Sequence, residues 1–599
     1  MLYPQSNKYR TVLDLSGFWD IKVDADDNGI AANWPQGFEA DAQVAVPGSW
    51  NEQLAEMGLM NYEGTMWYQT TFFVPAGLAE QAIHIRVGAA HARAQVWVNG
   101  SLVGEHEGGF LPFEFDVSAL VKDDANLLVI CVNNVLTHDT IPQGCTEEDY
   151  TTFNKHGART WPPTVFDFFN YGGIHRPVKV LALPKAHVDS IKVDTRLDGA
   201  NGVVKFRADF SGAGDKQPAA VCLIDGAKEV SRAALNVRGG VVEDEFTVAD
   251  CRPWSPEDPH LYQLRVQLLD GSAAVDEYTL DIGIREVKIS GNNLMLNGKP
   301  IFLKGFGKHE DFPVFGKALC MPLIIKDFQM MKWIGANSFR TSHYPYAEEM
   351  MQMADKMGIL VIDETPAVSL NFTTSTAATL ENHKQILIDL VARDYNHPCV
   401  ICWSVASEPA NWGDPNFKSE KAVAYWKEIF GLARQLDSSR PLTVPACIQA
   451  GYDCPSLGMC DFIALNRYFG WYDYPGDIER AGQLLKEEME IFHKKYGKPV
   501  FLCECGADAV AGEHSTTAQI FTEEYQMWLI EKCFDAVDAL PYAIGEHVWN
   551  FAEFRTAQNY TRVVFNRKGV FDRQRTPKAA AFMIKNRWTS DRTPENLKI

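Results

Sequence analysis

No apolar run in this chain is long enough to cross a bilayer, and the opening residues Met1-Leu2-Tyr3-Pro4-Gln5-Ser6-Asn7-Lys8 carry no apolar signal core. The first absence excludes a helical membrane span. The second leads us to expect a cytoplasmic protein. Positive charge is also scarce: 56 lysines and arginines face 77 acidic residues, a net charge of -21. That balance argues against nucleic acid or an anionic membrane as partner. It leaves room for a small anionic substrate, because a few cations in a pocket outweigh a distant acidic surface. Zinc-site spacing is missing as well. The 13 cysteines are odd in number, and Cys131, Cys222 and Cys402 sit inside apolar strand-like runs, as buried reduced thiols do. Cys503 and Cys505 flank Glu504, yet no second cysteine or histidine pair stands at zinc-site spacing from them, so no metal is expected. There is no internal repeat. What remains is a chain of 599 residues, 46% hydrophobic and 22% charged, an ordinary globular composition long enough for several domains.

Residues 1–183 read as many short strands broken by turn residues. Val96-Trp97-Val98 running into Asn99-Gly100 is a strong hairpin signal. A jelly-roll β-sandwich is expected there. Residues 184–284 keep the strand texture, as in Val188-Asp189-Ser190-Ile191-Lys192-Val193, and their length suits an immunoglobulin-like β-sandwich. From 285 to 599 strands alternate with amphipathic helices. Eight strands are expected at 301–306, 337–343, 359–365, 400–408, 441–444, 462–468, 500–504 and 543–551, the fifth with the weakest pattern. Helices are expected at 323–333, 347–357, 381–392, 420–436 and 481–494. The whole is a multidomain α+β chain ending in a (β/α)₈ TIM barrel.

Two acidic cassettes stand out within the barrel. Val400-Ile401-Cys402-Trp403-Ser404-Val405-Ala406-Ser407-Glu408-Pro409 and Pro499-Val500-Phe501-Leu502-Cys503-Glu504-Cys505-Gly506 each look like a buried parallel strand that breaks just after a glutamate. Strand exits form the catalytic face of such barrels. Strands four and seven face each other across the mouth, so Glu408 and Glu504 form a candidate glycosidase pair. In retaining enzymes the two carboxyl groups lie about 5 Å apart. Either glutamate alone could equally be a helix cap or a rim salt-bridge partner.

Many segments in order resemble family 2 glycoside hydrolases, and within them the β-glucuronidases. They include Leu13-Asp14-Leu15-Ser16-Gly17-Phe18-Trp19, Asp167-Phe168-Phe169-Asn170-Tyr171-Gly172-Gly173, Thr341-Ser342-His343-Tyr344-Pro345-Tyr346 and Asn466-Arg467-Tyr468-Phe469-Gly470-Trp471-Tyr472. Trp549-Asn550-Phe551-Ala552-Glu553-Phe554 and Asn566-Arg567-Lys568-Gly569 complete the series. The resemblance spans nearly the whole chain. It implies a retaining β-glucuronidase that releases glucuronic acid from small glucuronides by double displacement, with no cofactor. Glu408 matches the general acid/base and Glu504 the nucleophile. Tyr468 matches a tyrosine that hydrogen-bonds the nucleophile. Asn566 and Lys568 match an Asn-x-Lys signature for the C6 carboxylate, where a carboxylate leaving water needs a cation and donors. Arg562 and Tyr472 match further contacts on the carboxylate side, and Trp549 an aromatic wall. Asp167 matches a residue reaching toward the sugar hydroxyls, and His343 another pocket residue. A homo-oligomer, often a tetramer, is also implied.

Two departures bear on function. Ser407 stands where the family has an asparagine that donates to the sugar 2-hydroxyl. Cys505 stands where a tyrosine is common, and alternation turns it away from Glu504. The short stretch from Pro366 to Leu380 resembles relatives without a long covering loop, which implies an open aglycone side. Competing readings are a β-galacturonidase or mixed uronidase of the same family, and a non-catalytic carbohydrate-binding relic. A β-galactosidase would leave Asn566 and Lys568 without a task.

Overall fold

The computed structural model describes residues 1–590 apart from 79, 147 and 150–159. The first domain is two facing antiparallel sheets. One orders Thr11–Asp14, Gly173–Leu183, Ala82–His91 and Phe113–Asp116, with Gly48–Ser49 paired to the second of these. The other runs from Ala42–Val46 through Gly17–Asp24, Thr65–Phe72, Asn126–Asn133 and Arg93–Val98 to Ser101–Glu107. Alternation decides what is inside. Ile83, Ile85 and Val87 are buried together with Val96, Val98, Leu128 and Ile130 from the facing sheet. The expected hairpin is present, and both turn residues have positive φ, Asn99 at 51° and Gly100 at 81°, as a tight primed turn requires.

The second domain packs a three-stranded sheet (His187–Asp198, Asn201–Ser211, Val241–Val248) on a four-stranded one (Lys228–Asn236, Pro218–Asp225, Tyr262–Asp270, Ala273–Ile282). Its core of Val204, Phe206, Val221, Leu223, Leu264 and Val266 is separate from the others.

The third domain closes into a parallel barrel. Its strands are Leu303–Gly307, Ser338–Arg340, Leu360–Glu364, Val400–Ser404, a broken fifth strand, Ile463–Asn466, Val500–Glu504 and Ala543–Val548. The last pairs with the first, which closes the ring. The fifth strand is two dipeptides, Leu442–Thr443 bonded to the fourth strand and Pro445–Ala446 bonded to the sixth. Pro445 has no N–H to give, so continuous pairing through this strand is impossible. That is why its sequence pattern is weak. Strand four ends at Ser404, not at Glu408 as the sequence reading has it. Helices Met321–Ile334, Glu348–Met357, Ala377–Asp394, Glu420–Leu436, Ile478–Tyr496, Glu523–Asp538 and Ala579–Thr589 surround the barrel. The polar stretch before the third of these supplies its cap, with Thr376 accepting from the backbone of Thr379.

The first domain also reaches into the barrel. Phe110, Leu111, Ile141, Phe166 and Phe168 belong to the barrel's own apolar core, not to that of the sandwich. This brings the segment around Asp167 to the C-terminal mouth of the barrel.

Candidate active site

Glu504 ends the seventh barrel strand, inside the ring. The chain must then turn away under the eighth strand. At Gly506 a Cβ atom would lie 2.4 Å from the carbonyl oxygen of Trp549, so only glycine fits. Trp549 in turn donates its N–H to the carbonyl of Cys505 at 2.9 Å. The Cys505 thiol faces the carbonyl of His547 at 3.8 Å.

The Glu504 carboxylate has two donors. Tyr468 Oη lies 2.6 Å from Oε2, and the guanidinium of Arg340, from strand two, grips Oε1. Arg340 also holds Glu364 at 2.7 and 2.8 Å, and Glu364 accepts from Ser404 at 2.7 Å. Burial pushes the Glu504 carboxyl up to about 8 against the pull of Arg340, and Glu408 adds to the rise. Tyr468 is pushed well up by burial and by Glu504, so its phenol keeps the proton it donates.

Glu408 lies four residues past the end of its strand. Its φ is 49°, a left-handed conformation that costs a non-glycine residue about 1–3 kcal/mol and needs support. The support comes from its N–H, bonded to the carbonyl of Pro445 in the broken fifth strand at 2.9 Å. Its carboxylate accepts from Asn466 at 2.8 Å and from Asn411 at 2.9 Å. Asn466 is the cross-strand partner of Glu504. One amide therefore ties the acid on the fourth loop to the strand position beside the seventh. Ser407 hangs by its backbone from Ala367, at 3.1 Å, and its buried hydroxyl has no partner among the described residues.

Trp549 and His343 stack at 5.1 Å to form one wall. His343 Nδ1 lies 2.9 Å from Glu364. Burial holds its pKa below the ordinary value, against the pull of Glu364, so the ring is neutral at neutral pH.

Beyond Tyr468, whose ring lies 5.2 Å from that of Tyr472, is a charged cluster. Lys568 Nζ pairs with Asp508 at 2.5 Å and lies 3.2 Å from Tyr472 Oη. The rings of Tyr472 and Trp471 lie 4.9 and 5.1 Å from it. Asp167 crosses from the first domain to take both arms of Arg562, at 3.1 and 2.6 Å, and the amide of Asn566 at 2.7 Å. Arg562 also donates to Tyr472 at 2.8 Å. Burial opposes the ionisation of Asp508, yet Lys568 and Arg562 hold its carboxyl below the ordinary value.

The residues singled out from the sequence thus form two adjoining groups. Glu408, Glu504, Tyr468, His343 and Trp549 lie around the acids, and Asp167, Arg562, Asn566, Lys568 and Tyr472 around the cations. Sequence reasoning missed Arg340, Glu364, Asn411, Asn466 and Asp508. An arginine at the inner end of an apolar strand was a readable sign, because a buried guanidinium needs carboxylates. Asp508 was implied by the same rule once Lys568 was placed inside.

One other cluster has metal-type donors. Asp355, His397 and Cys399 bring one ligand atom each within 4.8 Å of one another. Asp355 is already committed to His397 Nδ1 at 2.5 Å and to the backbone of Cys399 at 3.0 Å. The cluster precedes strand four, at the opposite end of the barrel, and acts as a structural tie.

A barrel bearing two carboxylates at its mouth, with a sandwich domain reaching into the pocket, is the arrangement of a glycoside hydrolase. The chain matches the family descriptions "Glycosyl hydrolases family 2, sugar binding domain" over 12–184, "Glycosyl hydrolases family 2" over 186–285 and "Glycosyl hydrolases family 2, TIM barrel domain" over 287–592. It belongs to glycoside hydrolase family 2. It is similar to a β-glucuronidase of Paenibacillus borealis, 39% identical over 601 residues and covering 98% of each chain. It is also similar to the human β-glucuronidase, at 37% identity over 98% of this chain and 92% of that one. Among solved structures, the β-glucuronidase of Ruminococcus gnavus in complex with D-glucuronic acid has a TM-score of 0.90 at 37% identity, covering 98% of this chain and 99% of that one.

Proposed function

We propose that this chain is a retaining β-glucuronidase. The observation that carries the reading is the placement of Lys568, Arg562 and Asn566 beside the two acids: the Lys568 ammonium lies 5.7 Å from the ring of Tyr468, whose hydroxyl donates to Glu504. Two cations out of water favour a substrate with a carboxylate at that end, where it would share Lys568 and Arg562 with Asp508 and Asp167, and a neutral sugar would gain no such attraction.

In the first step Glu504 attacks the anomeric carbon and Glu408 protonates the departing glycosidic oxygen. An ester then links the sugar to Glu504. In the second step Glu408, now a base, takes a proton from water, and the water oxygen attacks the anomeric carbon from the face the aglycone left, opposite the ester, which releases the Glu504 carboxylate and restores the original configuration. The order needs a proton on Glu408 and an anion at Glu504. The guanidinium of Arg340 and the phenol of Tyr468 favour the anion on Glu504, whereas the hydrogen-bond donors to the Glu408 carboxylate among the described residues are the neutral amides of Asn466 and Asn411. Forming the ester removes the negative charge beside Glu408, which eases its change from acid to base. Trp549 and His343 supply a flat wall for the sugar ring.

The stretch after strand three lies pinned down. Asp414 accepts from the backbone of Phe372 and the hydroxyl of Thr373, both at 2.7 Å. This supports an open aglycone side and tolerance of bulky glucuronides. Thirteen free cysteines support a reducing, cytoplasmic location. A homo-oligomer, tetrameric by resemblance, is tested by light scattering.

The test of the activity is one plate. The purified protein is given the 4-nitrophenyl β-glycosides of glucuronic acid, galacturonic acid, galactose and glucose at equal concentration. Turnover of the glucuronide alone supports the proposal. Comparable turnover of the galacturonide makes the protein a mixed uronidase. No turnover on any of them overturns the proposal and leaves a sugar-binding protein.

A further inference from the structure

The loop after the first barrel strand holds a further buried cation. Lys317 is only 5% exposed. Its ammonium is caged by rings, 3.5 Å from the centre of Tyr344, 4.8 Å from Phe168 and 4.9 Å from Phe110. Tyr344 belongs to the barrel, and the two phenylalanines belong to the first domain. Among the described residues no carboxylate forms an ion pair with this ammonium. Burial holds its pKa down to about 7, while Glu310 and Asp311 act on it from further away in the opposite direction.

Phe168 connects this cage to the pocket. It stacks on Phe166 at 4.2 Å and meets the ring of Tyr344 at 5.5 Å. Phe166 and Phe168 turn inward, so Asp167 between them turns outward, where it takes Arg562 and Asn566. Phe169, after Phe168, is bonded through its N–H to the carbonyl of Arg555 at 3.0 Å. The two residues that follow Asp167 therefore anchor the segment, Phe168 by a ring that rests on a cation and Phe169 by its backbone.

We propose that Lys317 is a positioning residue for the substrate pocket: its ammonium, seated on the faces of Phe168, Phe110 and Tyr344, fixes the segment through which the first domain presents Asp167 to Arg562 and Asn566. This rests on the pocket being the glucuronide site. An ammonium over a ring face attracts it electrostatically, and the attraction is larger when the pair is out of water. A neutral side chain of the same length would fill the space without that pull.

A double-mutant cycle separates positioning from mere domain adhesion. kcat/KM for 4-nitrophenyl β-glucuronide is measured for the wild type, Lys317→Met, Asp167→Asn and the double variant. Lys317→Met is expected to lower kcat/KM about tenfold, the factor that corresponds to about 1.4 kcal/mol. In the Asp167→Asn background the same change is expected to cost almost nothing, because the residue it positions is already disabled. Lys317→Arg, which keeps a cation over the rings, is expected to recover most of the loss. Equal factors in both backgrounds, or no loss in the first, overturn the proposal. If Lys317→Met does not fold, Phe168→Leu takes its place in the cycle with the same expectation. Wild-type turnover separates the two claims: an inactive wild type defeats the activity, and an additive cycle on an active enzyme defeats only the role of Lys317.

Discussion

Replacing Lys568 with methionine removes the cation assigned to the substrate carboxylate, and it also strands Asp508. The two are 2.5 Å apart, with side chains 0% and 2% exposed. Breaking a buried pair from one side costs about 3–5 kcal/mol, because the remaining charge is left uncompensated. Arg562, 3.7 Å from Asp508, is placed to offset part of that cost. Activity lost in the single variant thus mixes lost recognition with a damaged pocket. Adding Asp508→Asn removes the stranded charge and keeps the shape, so the double variant reports recognition alone. Removing one partner of a desolvated charge pair is worth about 2–5 kcal/mol, or roughly 30-fold to several thousand-fold in kcat/KM. A matched glucoside has no carboxylate and should lose far less. The assay is the ratio of kcat/KM for the 4-nitrophenyl glucuronide and glucoside, in wild type and double variant. Equal losses on both substrates would refute the clamp.

Tyr468→Phe removes the 2.6 Å donor to Glu504. A hydrogen bond to a charged group contributes about 1.5–3 kcal/mol, so kcat should fall by roughly 10- to 150-fold; an unchanged kcat would show that the phenol plays no part. Burial opposes the charge on His397, but Asp355 raises its pKa to about 9. The raised value means that the folded state holds its proton longer than the unfolded chain does. This contribution, up to about 3 kcal/mol, is complete below about pH 6.5 and is lost as pH rises through 9. Melting curves of wild type and Asp355→Asn should therefore converge at high pH, and a constant gap would contradict the tie. Bulky aglycones should be cleaved about as well as small ones, and a sharp preference for small hydrophobic glucuronides would count against the open mouth.

Much of this protein was legible in its sequence because the physics was local. Asn99-Gly100 defines its hairpin through two positive φ angles, and the run from Val500 to Glu504 coincides with the strand it forms. The fifth strand was faint because it is two dipeptides, one bonded to the fourth strand and the other to the sixth. Glu408 was read as the end of a strand, but the strand stops at Ser404 and the glutamate sits on a left-handed turn braced by Pro445. Arg340, Asn466 and Asp508 escaped notice for a different reason. Each acts on a partner far away in sequence, and only the closed barrel brings strands two and six to the pair of acids and the loop after strand seven to Lys568. The aromatic cage of Lys317 is of the same kind, since two of its three rings come from another domain.

The central claim is that Glu504 becomes covalently bound to a uronic acid. The most direct measurement is peptide mass spectrometry after brief exposure to 2-deoxy-2-fluoro-β-D-glucuronyl fluoride, whose fluoride leaves readily while the 2-fluoro group slows hydrolysis of the ester. The account predicts one added fluoroglucuronyl group, located on Glu504 and absent from Glu504→Gln. An adduct on another residue, or none at concentrations that saturate the pocket, would contradict it.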